Sequence, residues 1–374
     1  MIKLKQDARQ AELVKAIGSK NKSESLAAQE AFAAAVGPVI GQVLMQLGTA
    51  PLIYEDFPYG EDESPVFPLD FYYGAGATEI SVWSAAKAGG LPSNWIESSG
   101  ELRFTTYLLD SAIHFDKKYA RKTFAFNVLS KAVDRMLNEL LIKQERQAWA
   151  TICRAIGEAR SFGADHIIQA NTVNRLQLDD FNRLLTLHKR INQSYAAGTA
   201  ANVYSSGPTD IFFSPEMKEQ IRGFAYNPMN TVPGPTVAGS VLANYTATTA
   251  VPLPEAIRAE IYKSAGTSSI YGVNLTELNE LGNSQKYNTL FAAYAPAGIA
   301  VGGGTFSASA DEIVVALDLS KGAFIRPVKT DGSSTATVSP DDQYLVRSEK
   351  VGFYTSLEEG RLCLDGRAIS AIIV

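Results

Sequence analysis

Few residues in this 374-residue chain are of types that do chemistry, and their spacing argues against most of it. His114, His166 and His188 are the only histidines, and no two stand at metal-ligand spacing, so a histidine site would have to be built from distant segments. Solvated or structural roles are the expectation for all three. Gly74 and Gly76 in YYGAGATEI form a GxG, but Glu79 stands where dinucleotide binding needs a third glycine, and the surroundings read as strand. The run Gly302 to Gly304 in IAVGGGTF is followed by a strand-like stretch instead of a helix, which removes the amide-dipole reason for anion binding and leaves a turn or bulge. Glu358 and Glu359 precede Gly360 in a turn, where solvation accounts for both. Phosphate-loop, nucleophile-elbow and HExxH motifs are absent from the sequence. Cys153 and Cys363 lie far apart and outside any CxxC spacing, so buried free thiols are expected rather than a disulfide or a zinc site. No catalytic residue, cofactor or metal is indicated.

The composition is that of a folded protein. Hydrophobic residues make up 46% of the chain, aromatic residues 10% and charged residues 20%, enough to bury a sizeable core. With 34 basic and 39 acidic side chains the formal charge is -5, so any contact with nucleic acid or an anionic membrane has to be local. Charged residues interrupt the N-terminus before an apolar signal-peptide core develops, and the run Ala31 to Leu47 is too short and too broken for a membrane span. A soluble, intracellularly made protein is expected. The charge is polarised. The 64 residues from Ser23 to Ala86 hold nine acids and no basic residue, and the densest basic cluster is KKYARK at 117 to 122.

The elements that would carry these residues follow from periodicity. Residues 4 to 47 read as two helical pieces broken around Gly18 to Ser23, the second opening at Ser25, and so apolar an arm calls for a partner surface. From Gly48 to Asp70, four prolines and a cluster of acids favour extended or turn structure. Residues 66 to 84 and 101 to 116 are rich in β-branched and aromatic types and pair as a long hairpin, with Lys87 and Trp95 in its turn-rich tip. Helical spacing without Gly or Pro runs from about Phe124 to Ile156, a rod of roughly 45 Å. In the middle third, DIFFSPEMKEQIRGF predicts a strand ending at Phe213, then Ser214 as N-cap, Pro215 at the first helical position and Gly223 as a stop. Thr231 to Thr249 reads as a surface loop, and Gln343 to Val374 as sheet.

This order resembles the major capsid protein of tailed double-stranded DNA bacteriophages, a fold shared with encapsulins and the herpesvirus capsid floor. The likeness is carried by RFTTYLLDSAIHF leading through KKYARK into NVLSKAVDRMLNELLIKQERQAWATI, by DIFFSPEMKEQIRGF, and by QYLVRSEKVGFYTSLEEGRLCLDGRAI. The resemblance implies an α+β tailed-phage major capsid fold. Its parts would be an N-terminal arm (1–48), an extended β-hairpin loop region (49–122), a long spine helix (123–157) with a peripheral sheet whose closing strands are 330–374, and an α/β axial domain (158–329). It further implies a structural protein, not an enzyme, that self-assembles as hexamers and pentamers into an icosahedral shell around the genome. Its partners would be a separate scaffolding protein, a portal protein, packaged double-stranded DNA by non-specific contact and a cementing protein as an optional addition, with no membrane partner. The location would be the virion capsid after synthesis in the host cytoplasm.

Candidate assembly contacts are the acidic residues Glu55, Asp56, Glu61, Asp62 and Glu63, the tip residues Lys87 and Trp95, and the basic residues Lys117, Lys118, Arg121 and Lys122. The acids are expected to meet the basic cluster on a neighbouring subunit. An isopeptide weld of the kind some relatives make is not expected: Lys87 would supply the amine, but no asparagine follows Asn288. Two alternatives stand beside this reading, an encapsulin-type compartment and an α/β enzyme or binding protein without a recognisable motif.

Overall fold

The computed structural model describes residues 8–60, 66–68, 101–120, 125–161, 164–193, 207–226, 268–330, 337–340 and 350–374. In chain order the described helices are α1 (Ala8–Ile17), α2 (Lys22–Gln46), α3 (Ala50–Ile53), α4 (Lys117–Ala120), α5 (Ala125–Glu158), α6 (Leu178–Gln193), α7 (Pro215–Tyr226) and α8 (Lys286–Ala292). The first strands are β1 (Glu55–Tyr59), β2 (Val66–Pro68), β3 (Glu101–Arg103), β4 (Tyr107–Asp116), β5 (Arg160–Ser161), β6 (Ala164–Asp165), β7 (Ile167–Gln169) and β8 (Asp210–Phe213). They continue with β9 (Ser268–Ile270), β10 (Val273–Glu277), β11 (Ile313–Leu317), β12 (Phe324–Lys329), β13 (Thr337–Pro340), β14 (Lys350–Glu359), β15 (Leu362–Cys363) and β16 (Ile369–Ile373). The chain divides into two units, Met1–Met45, Asp56–Leu140 and Arg326–Leu362 against Gln46–Glu55, Leu141–Ile325 and Cys363–Val374. Among the described residues no helix is long and apolar enough to cross a membrane.

The first unit is an arm and a sheet. The two helical pieces of the arm are α1 and α2, and the break between them is held by Ser25, whose hydroxyl donates to the Ile17 carbonyl at 2.7 Å and so satisfies one of the orphan acceptors at the end of α1. Because the Asn21 carbonyl already accepts from the Ser25 amide, α2 begins at Lys22, ahead of the expected Ser25. It runs through Pro38, which is exposed, while Phe32, Val36, Ile40 and Leu44 form its buried stripe. The sheet runs β1-β12-β14-β13, with β4 on the other side of β14 in an antiparallel ladder from Tyr107↔Glu359 to Asp116↔Lys350. Val351, Phe353, Thr355, Leu357 and Glu359 alternate inward along β14, and Phe32 of α2 meets Phe353 at a ring separation of 5.2 Å. Of the predicted long hairpin, β2 and β3 pair antiparallel from Val66↔Arg103 to Pro68↔Glu101, whereas Tyr107–Asp116 of its second strand pair with β14 instead; residues 69–100 lie outside the described residues, as does the loop Thr231 to Thr249.

The second unit is a mixed six-stranded sheet of order β7-β16-β11-β8-β10-β9. Alternate residues of its strands feed two separate cores. Phe212, Ile313, Val315, Leu317, Ile369, Ala371 and Ile373 pack with Trp149, Ile152 and Ile156 of α5, whereas Ile211, Phe213, Val314, Ala316 and Ile372 pack with Phe181 and Leu184 of α6 and Met217 and Ile221 of α7. A sheet covered on both faces asks for unbroken apolar strands, which is why IVVAL and ISAII show no polar alternation. β14 belongs to the first unit, but β16 is fully buried and inserts between β7 and β11 in the second. The predicted strand-to-helix junction forms at Phe213 and Pro215; α7 continues past Gly223 to Tyr226, since a mid-helix glycine costs only about 0.5–1 kcal/mol relative to alanine.

Candidate functional site

The sequence motifs that suggested chemistry are structural. His166 is buried, with Nδ1 2.9 Å from the Gly366 carbonyl and 3.1 Å from that of Ile369. Nδ1 of buried His188 lies 2.8 Å from the Ser370 hydroxyl, and His114 is exposed on β4. Gly302 and Gly303 adopt φ of 91° and 88° in a tight turn in which the Gly303 amide donates to the Ala300 carbonyl. Both cysteines are free, and burial pushes each thiol up to about 12, so the nucleophilic thiolate is scarce at neutral pH.

The expectation for Glu358 and Glu359 is overturned. Glu359 is fully buried, because β12, β4 and the turn after β14 converge on it with charged and polar side chains. Arg326 Nε donates to its Oε2 at 2.8 Å, Arg361 Nη2 approaches both oxygens at 3.3 and 3.4 Å, and the Tyr107 hydroxyl donates to Oε1 at 3.1 Å. Burial first, and then the Glu359 charge, drive the Tyr107 phenol well above its ordinary pKa, which keeps it a donor. Arg326 is 1% exposed and leaves Nη2 without a hydrogen-bond partner among the described residues. Glu358 is half-buried and accepts from Tyr59 Oη at 3.1 Å and Thr106 Oγ1 at 2.7 Å.

This network also bears on the candidate assembly contacts. Asp56 lies 3.3 Å from Arg326 Nη1, a pairing that follows from β1 lying beside β12 in the sheet. Lys118 pairs with Asp116 at 3.0 Å, and Lys117 is buried. Within the chain, Asp56 and Lys118 thus have charge partners and Lys117 is withdrawn from the surface. Glu55 is exposed at the start of β1. Glu61, Asp62, Glu63, Lys87, Trp95, Arg121 and Lys122 lie outside the described residues. Sequence reasoning missed Arg326 and Glu359 as a pair; the available signal was an arginine inside the apolar run FIRPV, where a charge is expensive unless paired.

In the second unit a single side chain of α5 anchors the segment that follows the arm. Glu145 accepts from Thr49 Oγ1 at 2.6 Å and from the Ala50 amide at 2.8 Å, capping α3, and Trp149 Nε1 donates to the same Thr49 hydroxyl at 3.0 Å. Gly48 is required there. Its φ is +101°, and a Cβ would stand 2.0 Å from Glu145 Oε1.

No protein-family model matches this sequence, and no curated protein does either. Solved structures do match in fold. The capsid of an empty GTA particle aligns with a TM-score of 0.50 at 11% identity, covering 87% of this chain and 90% of that one. The capsid of cyanophage P-SCSP1u aligns with a TM-score of 0.49 at 12% identity and 86% coverage of each chain. The SrpI encapsulin of Synechococcus elongatus PCC 7942 gives 0.45 at 9% identity, with 87% and 88% covered. An arm of two helices, a short antiparallel β2–β3 pair, one 34-residue helix shared by both units and a two-faced mixed sheet thus make up an α+β fold shared with solved capsid-shell subunits, and this chain has that fold over most of its length.

Proposed function

We propose that the chain is the major capsid protein of a tailed double-stranded DNA bacteriophage, a structural subunit that assembles as hexamers and pentamers into an icosahedral shell. The observation that carries the reading is the fold agreement over 87% of the chain with a particle capsid, used as an analogy of fold rather than of sequence. The surface supports it. The outward face of α2 presents Ala27, Ala31, Ala34, Ala35, Pro38 and Val39 to solvent, an apolar strip that association would cover.

On this reading residues 1–48 are the arm and 49–122 the extended-loop region, the first unit supplies the peripheral domain and the second the axial domain. A separate scaffolding protein guides assembly, a portal protein replaces one vertex, DNA is held by non-specific contacts, and a cementing protein is an optional addition. The mature location is the virion capsid, after synthesis in the host cytoplasm.

Electron microscopy and light scattering of the purified chain test the proposal. Expressed alone, the chain should give tubes or oligomers built from hexameric units, and co-expression with its scaffolding protein should convert them to closed shells. A monomer at every concentration would refute the shell reading. Small uniform shells that form from the single gene around a protein cargo would replace it with the encapsulin-type compartment.

A further inference from the structure

The exposed face of α5 carries a charge pattern that the fold does not account for. All five cations between residues 131 and 158, Lys131, Arg135, Lys143, Arg146 and Arg154, are exposed, in a chain whose formal charge is -5. At about 100° per residue they fall within a sector of roughly 140°, and at about 1.5 Å per residue they extend over roughly 35 Å. The acids of the same stretch do not balance them. Glu145 is turned to Thr49 and Ala50, and Asp134 is half-buried. Glu158 pairs with Arg154 at 3.0 Å, and Arg146 reaches Glu280 at 3.2 Å.

Lys131, Arg135 and Lys143 form no ion pair with a described residue, although Glu139 stands one helical turn from both Arg135 and Lys143. Lys131 and Arg135 are also one turn apart, a like-charge spacing that weakens an isolated helix. A helix face carrying three cations without an ion-pair partner among the described residues is suited to a linear polyanion. Duplex DNA presents about one charge per 1.7 Å, and the three unpaired cations extend over about 18 Å, roughly half of a 34–36 Å turn of the double helix.

We propose that this face of α5 is the surface that meets packaged duplex DNA, binding the phosphate backbone without reading sequence. The inference rests on the capsid reading and implies that this face of the helix lines the inside of the shell. Side chains without a fixed partner suit that role, since phosphate contacts hold DNA in any register.

The test measures binding of the full chain to a 30-base-pair duplex between 50 and 200 mM salt. In the triple variant Lys131→Gln, Arg135→Gln, Lys143→Gln, the slope of log affinity against log salt should flatten by about 2.7, or about 0.9 per lost contact. Should the triple variant lose its helical circular dichroism, Lys143→Gln alone should flatten the slope by about 0.9. An unchanged slope in a folded variant overturns the inference, as does a wild-type chain that binds poly-glutamate but not the duplex. Microscopy of both proteins separates the two claims. Tubes, hexamer-based oligomers or shells with an unchanged slope defeat the DNA face and leave the capsid reading standing, whereas a flattened slope with only monomers from either protein does the reverse.

Discussion

At the scale of single residues, the buried group around Glu359 sets the strongest expectation. Two guanidinium groups and a phenol share one carboxylate that has no access to water, so neutralising it removes the one buried charge that Arg326 and Arg361 share and leaves Arg326 only the partly exposed Asp56 as an acidic partner among the described residues. Glu359→Gln should destabilise the unassembled subunit by about 3–5 kcal/mol, read as a lower midpoint in urea denaturation. A change below about 1 kcal/mol, within the range of exposed pairs, would show that the group is solvated after all. Glu312 gives the opposite sign. Burial raises its pKa, with Glu216 adding to the effect and the Ser214 hydroxyl opposing it. A carboxyl raised in the folded state stabilises most below its ordinary value of 4.5 and loses that contribution as pH rises through the folded value. Asp180 shifts the same way, so Glu312→Gln should shrink, without abolishing, the fall in stability between pH 5 and 7.5. An unchanged fall would remove Glu312 from the account. Neither group was legible in the sequence. Glu359 sits before a glycine and looks like a turn residue, while its partners Arg326 and Tyr107 are 33 and 252 residues away, brought in by strand pairing that no local pattern records.

At the scale of elements, local periodicity was a good guide wherever one face of the element decides its structure. The helix expected from Phe124 to Ile156 is α5, Ala125–Glu158, and the β8–α7 junction has Ser214 accepting from the Met217 amide as an N-cap should. The signal failed where burial is two-sided. β16 reads as sheet, but nothing in ISAII says which sheet, because a strand covered on both faces loses the alternation that distinguishes its neighbours. The hairpin root supplies a prediction at this scale. β2 and β3 pair over only three residues each, and a two-stranded ribbon is marginal on its own, so this pair should depend on a neighbour for its stability. Deletion of residues 85 to 100 should leave a soluble subunit with an unchanged denaturation midpoint that no longer closes shells. Closed shells of normal size from the deletion would contradict this.

At the scale of the whole molecule, the proposed capsid reading implies a particle held by non-covalent contacts. Asn288 is buried on α8, with its amide donating to the Asp311 carbonyl, and no asparagine follows it in the sequence. Boiled, denatured particles should therefore run as a single band at the monomer mass, and a ladder of covalent multimers would overturn that expectation.

The position of β16 has a consequence for how such a subunit is made. Its ladder joins Ala371 to Ile167 on one side and to Val315 on the other, so the middle of the second unit's sheet stays open until the ribosome has delivered residues from the far side of the chain. His166 and the Ile369 carbonyl, which close the same seam, are 203 residues apart. Contacts that distant are slow to form, and a prematurely terminated chain would expose the raw edges of β7 and β11 to proteases and chaperones. A chain truncated before Ile369 should therefore show a lower denaturation midpoint and faster proteolysis than the full sequence, and equal values for the two would remove β16 from this role.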